Sequence, residues 1–125
     1  MQVCVVSAEE SIALDSAAIA SGIPSRALMR AAAFNAATLL CARYAEQMSR
    51  GVTVYTGAGN NGGDGWALAA ALTAAGASVC VREVAVSKTP DALAERSLAR
   101  AMTDAVHTGS GVLVDAMLGT GSKGA

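Results

Sequence analysis

Apolar residues in the first part of the chain recur with the spacing of α-helices. Ser7 and Glu10 form a capping box, which predicts a helix that begins there and ends near Gly22. A second, longer helix is predicted from Ser25, with Arg26 mostly facing solvent. Its apolar residues recur every three or four positions and predict one stripe facing a core: Met29, Ala33, Ala37, Leu40 and Tyr44.

Farther along the chain, short β-branched runs alternate with helical segments. Residues 52–55, 79–81 and 112–114 predict three buried strands. Residues 66–75 predict the helix after the first strand, and Thr89 is the predicted cap of the helix after the second. The inner face of that last helix is expected to comprise Ala94, Leu98, Ala101, Met102 and Ala105.

This alternation predicts the fold class. Strands that alternate with helices form parallel sheets joined by right-handed crossovers, with helices on the faces. We therefore predict an α/β fold, a Rossmann-like three-layer αβα arrangement with a parallel sheet, preceded by two N-terminal helices. All 125 residues are assigned to one domain, and the small sheet indicates the N-terminal half of a larger domain.

Composition narrows the possible partners. Nine Lys and Arg balance ten Asp and Glu without a basic run, which argues against nucleic acid binding. No segment is apolar over the ~18 residues that a membrane helix needs, and no membrane partner is expected. Cys4, Cys41 and Cys80 match neither a disulfide framework nor a zinc site, so a cytoplasmic setting is predicted.

Two glycine-rich loops directly follow predicted strands. The first is Gly57-Ala58-Gly59-Asn60-Asn61-Gly62-Gly63-Asp64-Gly65, and the second is Gly119-Thr120-Gly121. Because ligands bind beyond the carboxyl ends of parallel strands, both loops are expected to lie on one edge of the sheet. The amide oxygens of Asn60 and Asn61, with the Asp115 carboxylate, are suitable ligands for a hard cation.

The first loop has two other interpretations, one purely structural and one as a site for a dinucleotide. It can be a structural turn in which Asp64 caps the following helix. It also matches a dinucleotide fingerprint, Gly57-x-Gly59-x-x-Gly62, with Glu83 as the partner of a ribose. Against the fingerprint, the glycines up to Gly65 are expected to prolong the loop and delay the helix.

The same loop closely resembles the signature loop of the NAD(P)HX epimerase family, also called the YjeF N-terminal domain. Two further stretches resemble this family. One is the N-terminal pattern of residues 8–29, which includes Leu14-Asp15, Gly22-Ile23-Pro24 and Leu28-Met29. The other is Asp115-Ala116-Met117-Leu118-Gly119-Thr120-Gly121. Arg30 stands where the family often has Glu.

The resemblance implies a potassium ion held partly by Asn61 and Asp115. It implies substrate binding by two segments, the first made of Asn60, Asn61, Gly62, Gly63 and Asp64, and the second of Gly119, Thr120, Gly121, Ser122, Lys123, Gly124 and Ala125. The last four residues depart from the family's pattern. Family domains are about twice as long and bring another substrate-binding acid later, so no catalytic residue is assigned here.

The implied activity is that of an isomerase, which interconverts the R and S forms of hydrated NADH and NADPH (NADHX and NADPHX) in nicotinamide nucleotide repair. The family also implies a homodimer and a fused or separate ADP-dependent dehydratase. The alternatives are a non-catalytic YjeF-type nucleotide-binding or interaction module and a Rossmann dehydrogenase fragment. Trp66 is expected either to stack on a base or to pack its helix, and His107 to complement a helix end.

Overall fold

The computed structural model describes residues 5–103 and 109–119. These residues form five helices and three strands, all of which the sequence predicts except the short third helix. In chain order they are α1 (Ala8–Ala20), α2 (Ser25–Arg43), α3 (Ala45–Met48), β1 (Val52–Thr56), α4 (Asn60–Ala74), β2 (Val79–Glu83), α5 (Pro90–Arg100) and β3 (Val112–Ala116).

The three strands form one parallel sheet in the order β2-β1-β3. Val52 at the start of β1 is in register with Val79 and Val112, and Thr56 at its end is in register with Glu83 and Ala116. The predicted parallel α/β fold is confirmed. Because the strands run the same way and end level, the loops that follow β1 and β3 lie at the same edge.

Helix α4 is the centre of the core. It packs across all three strands, and α2 and α5 pack against it. Nine of its residues are buried, and most of them are Gly or Ala. From α2, the buried residues are Met29, Ala33 and Ala37, which confirms the predicted stripe, although its last member, Tyr44, is exposed. Small side chains on α4 let two layers approach it closely.

The predicted start of α4 was wrong by six residues. The helix begins at Asn60 rather than Trp66, with Gly59 as its N-terminal cap. Glycine costs about 1 kcal/mol per position in a helix, which is why the sequence favoured a longer loop. Close packing around Gly62, Gly63 and Gly65 overrides that cost, because helix α4 approaches its neighbours at these positions.

The predicted inner face of α5 was also wrong. Its buried residues are Ala92, Glu95 and Ala99, whereas Leu98 and Met102 are more than a third exposed. Ala101 is exposed, Ala94 is partly exposed, and Ala105 lies outside the described residues. A buried glutamate is not expected on an apolar stripe.

The reason for the buried glutamate is an ion pair between helices. The Arg26 guanidinium on α2 donates to Glu95 at 2.6 Å, and Arg30 approaches the same carboxylate at 3.9 Å. The sequence predicted that Arg26 mostly faces solvent, but its side chain instead binds Glu95 on α5. Nearby, the Ser25 hydroxyl donates to Asp91 at 2.5 Å, so α2 and α5 are joined at their N-terminal ends.

Helix α1 differs from the other long helices because it buries no residue. Its predicted cap is confirmed, since the backbone N–H of Glu10 donates to the Ser7 hydroxyl at 3.1 Å. Its apolar side chains are solvent-exposed, including Ile12 and Ile19. Within residues 5–103 and 109–119, no helix combines the length and apolar character needed to cross a membrane.

Candidate functional site

A cleft of about 960 Å³ opens at the carboxyl edge of the sheet. Three elements form its walls: the β1–α4 turn with the first turn of α4, the end of β3 with the loop after it, and helix α1. The lining residues are Asp15, Ala58, Gly59, Asn60, Asn61, Asp64, Asp115, Met117, Leu118 and Gly119. Both glycine loops thus contribute to one cleft, as the sequence predicted.

Three glycines of the first loop allow the backbone to approach its neighbours. A Cβ on Gly57 would overlap the Met117 carbonyl oxygen, and a Cβ on Gly62 would overlap the Gly57 carbonyl oxygen. A Cβ on Gly65 would lie 2.6 Å from the Cβ of Ala116. Gly57 and Gly65 therefore let the β1–α4 turn and α4 lie against the end of β3 and the residue after it, and Gly62 lets the turn close on itself, which brings the two loops together.

A side-chain hydrogen bond also links the two loops. The Asn61 amide nitrogen donates to the Leu118 carbonyl at 2.8 Å. Since its amide nitrogen faces the carbonyl, the Asn61 side-chain oxygen is left as an acceptor. Asp115 accepts a bond from the Met117 N–H at 3.0 Å through one carboxylate oxygen. One amide oxygen and one carboxylate oxygen are thus available in the same cleft.

The loop between β2 and α5 supports the first loop from its other side. Thr89 caps α5 as predicted, accepting from the Ala92 N–H at 3.3 Å, and its hydroxyl donates to the Asn60 side-chain oxygen at 2.6 Å. The Lys88 N–H donates to the Ala58 carbonyl at 2.9 Å. These contacts could not be predicted from local patterns, because they join residues about 30 positions apart.

Asp64 has the most perturbed acid–base property in the cleft. Burial by the surrounding protein raises the pKa of Asp64 from 3.8 to about 6, and repulsion from Asp15 adds to the rise. Its side chain is nevertheless exposed at the cleft wall. One interpretation of the loop predicted that Asp64 caps α4. That prediction was wrong, because Gly59 is the N-terminal cap.

The predicted binding residues fall into three groups. Asn60, Asn61, Asp64, Asp115 and Gly119 line the cleft. Gly62 and Gly63 do not line it, because both are buried under neighbouring elements; a Cβ on Gly63 would lie 2.9 Å from Met29 and 3.0 Å from Ala92. Thr120, Gly121, Ser122, Lys123, Gly124 and Ala125 lie outside the described residues, as does His107.

Asp15 is a charged cleft residue that the sequence did not assign to the site. It belongs to α1, 49 positions before Asp64, and only the fold brings it to the cleft. The N-terminal pattern that resembles the family includes Asp15, but that pattern did not indicate a role. The position of Asp15 at the cleft, which depends on the fold, is what indicates a role for it.

Two residues considered for nucleotide contacts have structural partners instead. Glu83 binds Arg96 and Arg100, and these two ion pairs hold the pKa of the Glu83 carboxyl below its usual range. Trp66 is buried, with the guanidinium carbons of Arg96 and Arg100 5.9 and 5.7 Å from its ring centroid. Glu83 is therefore not free to bind a ribose, and Trp66 packs α4 into the core.

The early start of α4 weakens one argument from the sequence. We expected a prolonged loop to distinguish this chain from a dinucleotide-binding fold, but the helix begins within the glycine motif, as it does in such folds. The ion pairs of Glu83 with Arg96 and Arg100 still distinguish this chain from a dinucleotide-binding fold, because they leave Glu83 unable to bind a ribose.

Together, the fold and the cleft define an α/β protein with a parallel sheet, of the class that binds ligands at the carboxyl ends of its strands. More specifically, the chain belongs to the family described as YjeF-related protein N-terminus, whose model matches residues 25–125. The resemblance of the glycine loop to this family is confirmed.

Two relatives extend the comparison. The chain is 34% identical over 124 residues to the bifunctional NAD(P)H-hydrate repair enzyme Nnr of Thermanaerovibrio acidaminovorans, covering 88% of this chain and 24% of the relative. The crystal structure of yeast ynu0, YNL200c, matches with a TM-score of 0.70 and 22% identity, over 91% of this chain and 48% of that one. The chain spans about a quarter of the curated relative and about half of the solved structure.

Proposed function

We propose that the cleft binds hydrated NADH or NADPH and that the domain to which this chain belongs interconverts the R and S epimers. The observation that carries this proposal is the bond from Asn61 to Leu118, which joins the two family loops at one cleft. The family and the repair activity named for the 34% identical relative support the choice of substrate.

A potassium ion fits the donors that face the cleft. The Asn61 side-chain oxygen and the Asp115 carboxylate would hold it together with ligands from elsewhere in the domain. Oxygen donors with little charge suit a large monovalent cation better than zinc, which prefers His and Cys. In the part of the chain that the structure describes, no group of three or more His, Cys, Asp or Glu side chains could hold a metal. When bound, the ion would offset the negative charge of the Asp115 carboxylate and polarise a substrate oxygen beside it.

The substrate would lie along the first turn of α4. Asn60 is fixed by Thr89, so its amide nitrogen remains to donate to a ligand. Asp64 offers a carboxyl group that carries a proton over a wider pH range than an ordinary aspartate. We assign it to a substrate hydroxyl and leave the catalytic acid to the later part of the domain.

Epimer exchange measured by NMR tests this function. Purified protein is added to a mixture of the NADHX epimers, and magnetisation transfer between their signals is followed in potassium and in sodium buffer. We expect exchange to be faster with protein, and faster in potassium than in sodium. Matched variants are Asn61→Ala, which should lose the potassium effect, and Asn35→Ala on α2, away from the cleft, which should keep it.

The alternatives predict different outcomes. Tight NADHX binding without faster exchange would indicate a binding module or a requirement for the rest of the domain. Adding the remaining domain sequence then separates these two explanations. Neither binding nor exchange, with the longer chain as well, would refute the proposal. Reduction of NAD by a common alcohol would instead favour a dehydrogenase.

The assembly remains part of the proposal. The curated relative is bifunctional, which supports a fused dehydratase in a longer chain. A homodimer is proposed from the exposed apolar residues of α1, among them Ile12, Leu14 and Ile19. The cytoplasmic setting and the preference for NADHX or NADPHX remain predictions.

A further inference from the structure

Helix α1 reaches the cleft although packing does not hold it there. It buries no residue, and the family model matches the chain only from residue 25 onward. Even so, Asp15 lines the cleft with Asn61 and Asp64. A helix whose side chains stay exposed gains little stability from its position.

The position of Asp15 is also electrostatically unfavourable. Its carboxylate lies close enough to Asp64 to disfavour the charged form of that residue. Asp115 is the third acid at the cleft, and no Lys, Arg or His lines it among the described residues. Even with the proposed potassium ion at Asp115, the repulsion between Asp15 and Asp64 disfavours the fold, so their presence points to a ligand that benefits from them.

The chemistry of these walls selects the part of the substrate that can bind between them. Beside Asp15 and Asp64, phosphate groups would be repelled, since no cationic side chain lines the cleft among the described residues and the proposed potassium ion would be held at Asn61 and Asp115. Hydroxyl groups are neutral donors, and a carboxylate accepts from them with a charge-assisted bond. Hydration gives NADHX a hydroxyl group that NADH lacks.

On these grounds, and resting on the proposed function, we infer that Asp15 is a specificity-determining residue that accepts a hydrogen bond from the hydroxyl group of the hydrated nicotinamide ring. Helix α1 is then a wall of the substrate site. Asp64 faces the same group from α4, and the two acids bind the neutral, hydroxyl-bearing end of the substrate.

Binding of NADHX and NADH to the same protein tests this inference. The two ligands carry the same phosphates, so any general effect of removing a negative charge cancels in the ratio of their dissociation constants. In Asp15→Asn we expect NADHX to bind about 10-fold more weakly, because a charge-assisted hydrogen bond is lost. Binding of NADH should change by less than about 2-fold.

Three further measurements make the test specific. Glu9→Gln removes an exposed acid from the same helix outside the cleft and should leave both affinities unchanged. Asp15→Glu should restore part of the preference for NADHX. The melting temperature of Asp15→Asn should equal or exceed that of the wild type, since repulsion of Asp64 is relieved.

The outcomes separate this inference from the function on which it rests. If the wild-type chain exchanges epimers or prefers NADHX, but Asp15→Asn keeps the same preference, the role of Asp15 is refuted and the function stands. Equal weakening of NADHX and NADH would also refute the role. If the wild-type protein, with the longer domain as well, neither binds nor exchanges NADHX, both are overturned.

Discussion

The close approach of α4 to β3 at Gly65 makes a sharp prediction about stability. In Gly65→Ala the new Cβ would lie 2.6 Å from the Cβ of Ala116 and 3.1 Å from Cγ2 of Thr56. Ordinary carbon contacts are about 3.5–4.0 Å, so the atoms overlap by about 1 Å. Ala116 cannot turn away, because its Cβ is fixed to the backbone of the strand.

The size of the effect follows from two opposing terms. Overpacking a core typically costs about 1–3 kcal/mol, while alanine gains up to about 1 kcal/mol over glycine in a helix. We expect a net loss of about 1–2 kcal/mol in the free energy of unfolding. At roughly 4 °C per kcal/mol for a domain of this size, the melting temperature falls by about 4–8 °C.

Circular dichroism during urea and thermal unfolding measures the loss, and a double-mutant cycle identifies its cause. Ala116→Gly removes the atom that Gly65→Ala would meet. If steric overlap explains the loss, Gly65→Ala should cost about 1 kcal/mol less in the Ala116→Gly background. An equal cost in both backgrounds, or a stabilised Gly65→Ala, would show that α4 does not pack this closely on β3.

Three other predictions concern single side chains. Because the pKa of Asp64 is raised in the fold, protonated Asp64 stabilises the protein, and this stability is lost as the pH rises from 3.8 through about 6. The melting temperature of Asp64→Asn relative to wild type should therefore rise between pH 4 and pH 7. A difference that does not change with pH would contradict this. Arg26→Met leaves Glu95, which is 1% exposed, with only the more distant Arg30 as an ion-pair partner. It should lower the free energy of unfolding in urea by about 3 kcal/mol, more than Glu95→Gln does. The reverse order would be inconsistent with a buried charge at Glu95. Thr89→Ala removes the cap of α5 and the bond to Asn60 and should cost about 1 kcal/mol, whereas Thr38→Ala on the exposed side of α2 should cost less.

Local patterns determined most of the fold. Runs of β-branched residues located all three strands, and the capping residues Ser7 and Thr89 located two helix starts. Alternation of strands and helices then required a parallel sheet, and that sheet placed the two glycine loops on one edge. These features can be predicted because each depends on residues that are close together in the sequence.

Tertiary contacts decided what those patterns left open. Helix α4 extends through three glycines because neighbouring elements press against them, a gain that no local propensity records. The buried face of α5 follows from the pairing of Glu95 with Arg26, 69 positions away. Asp15 is part of the cleft only because the fold brings α1 to it. The sequence by itself determined the three strands, four of the five helices and the loop chemistry, whereas the approach of distant helices decided which side chains share the cleft.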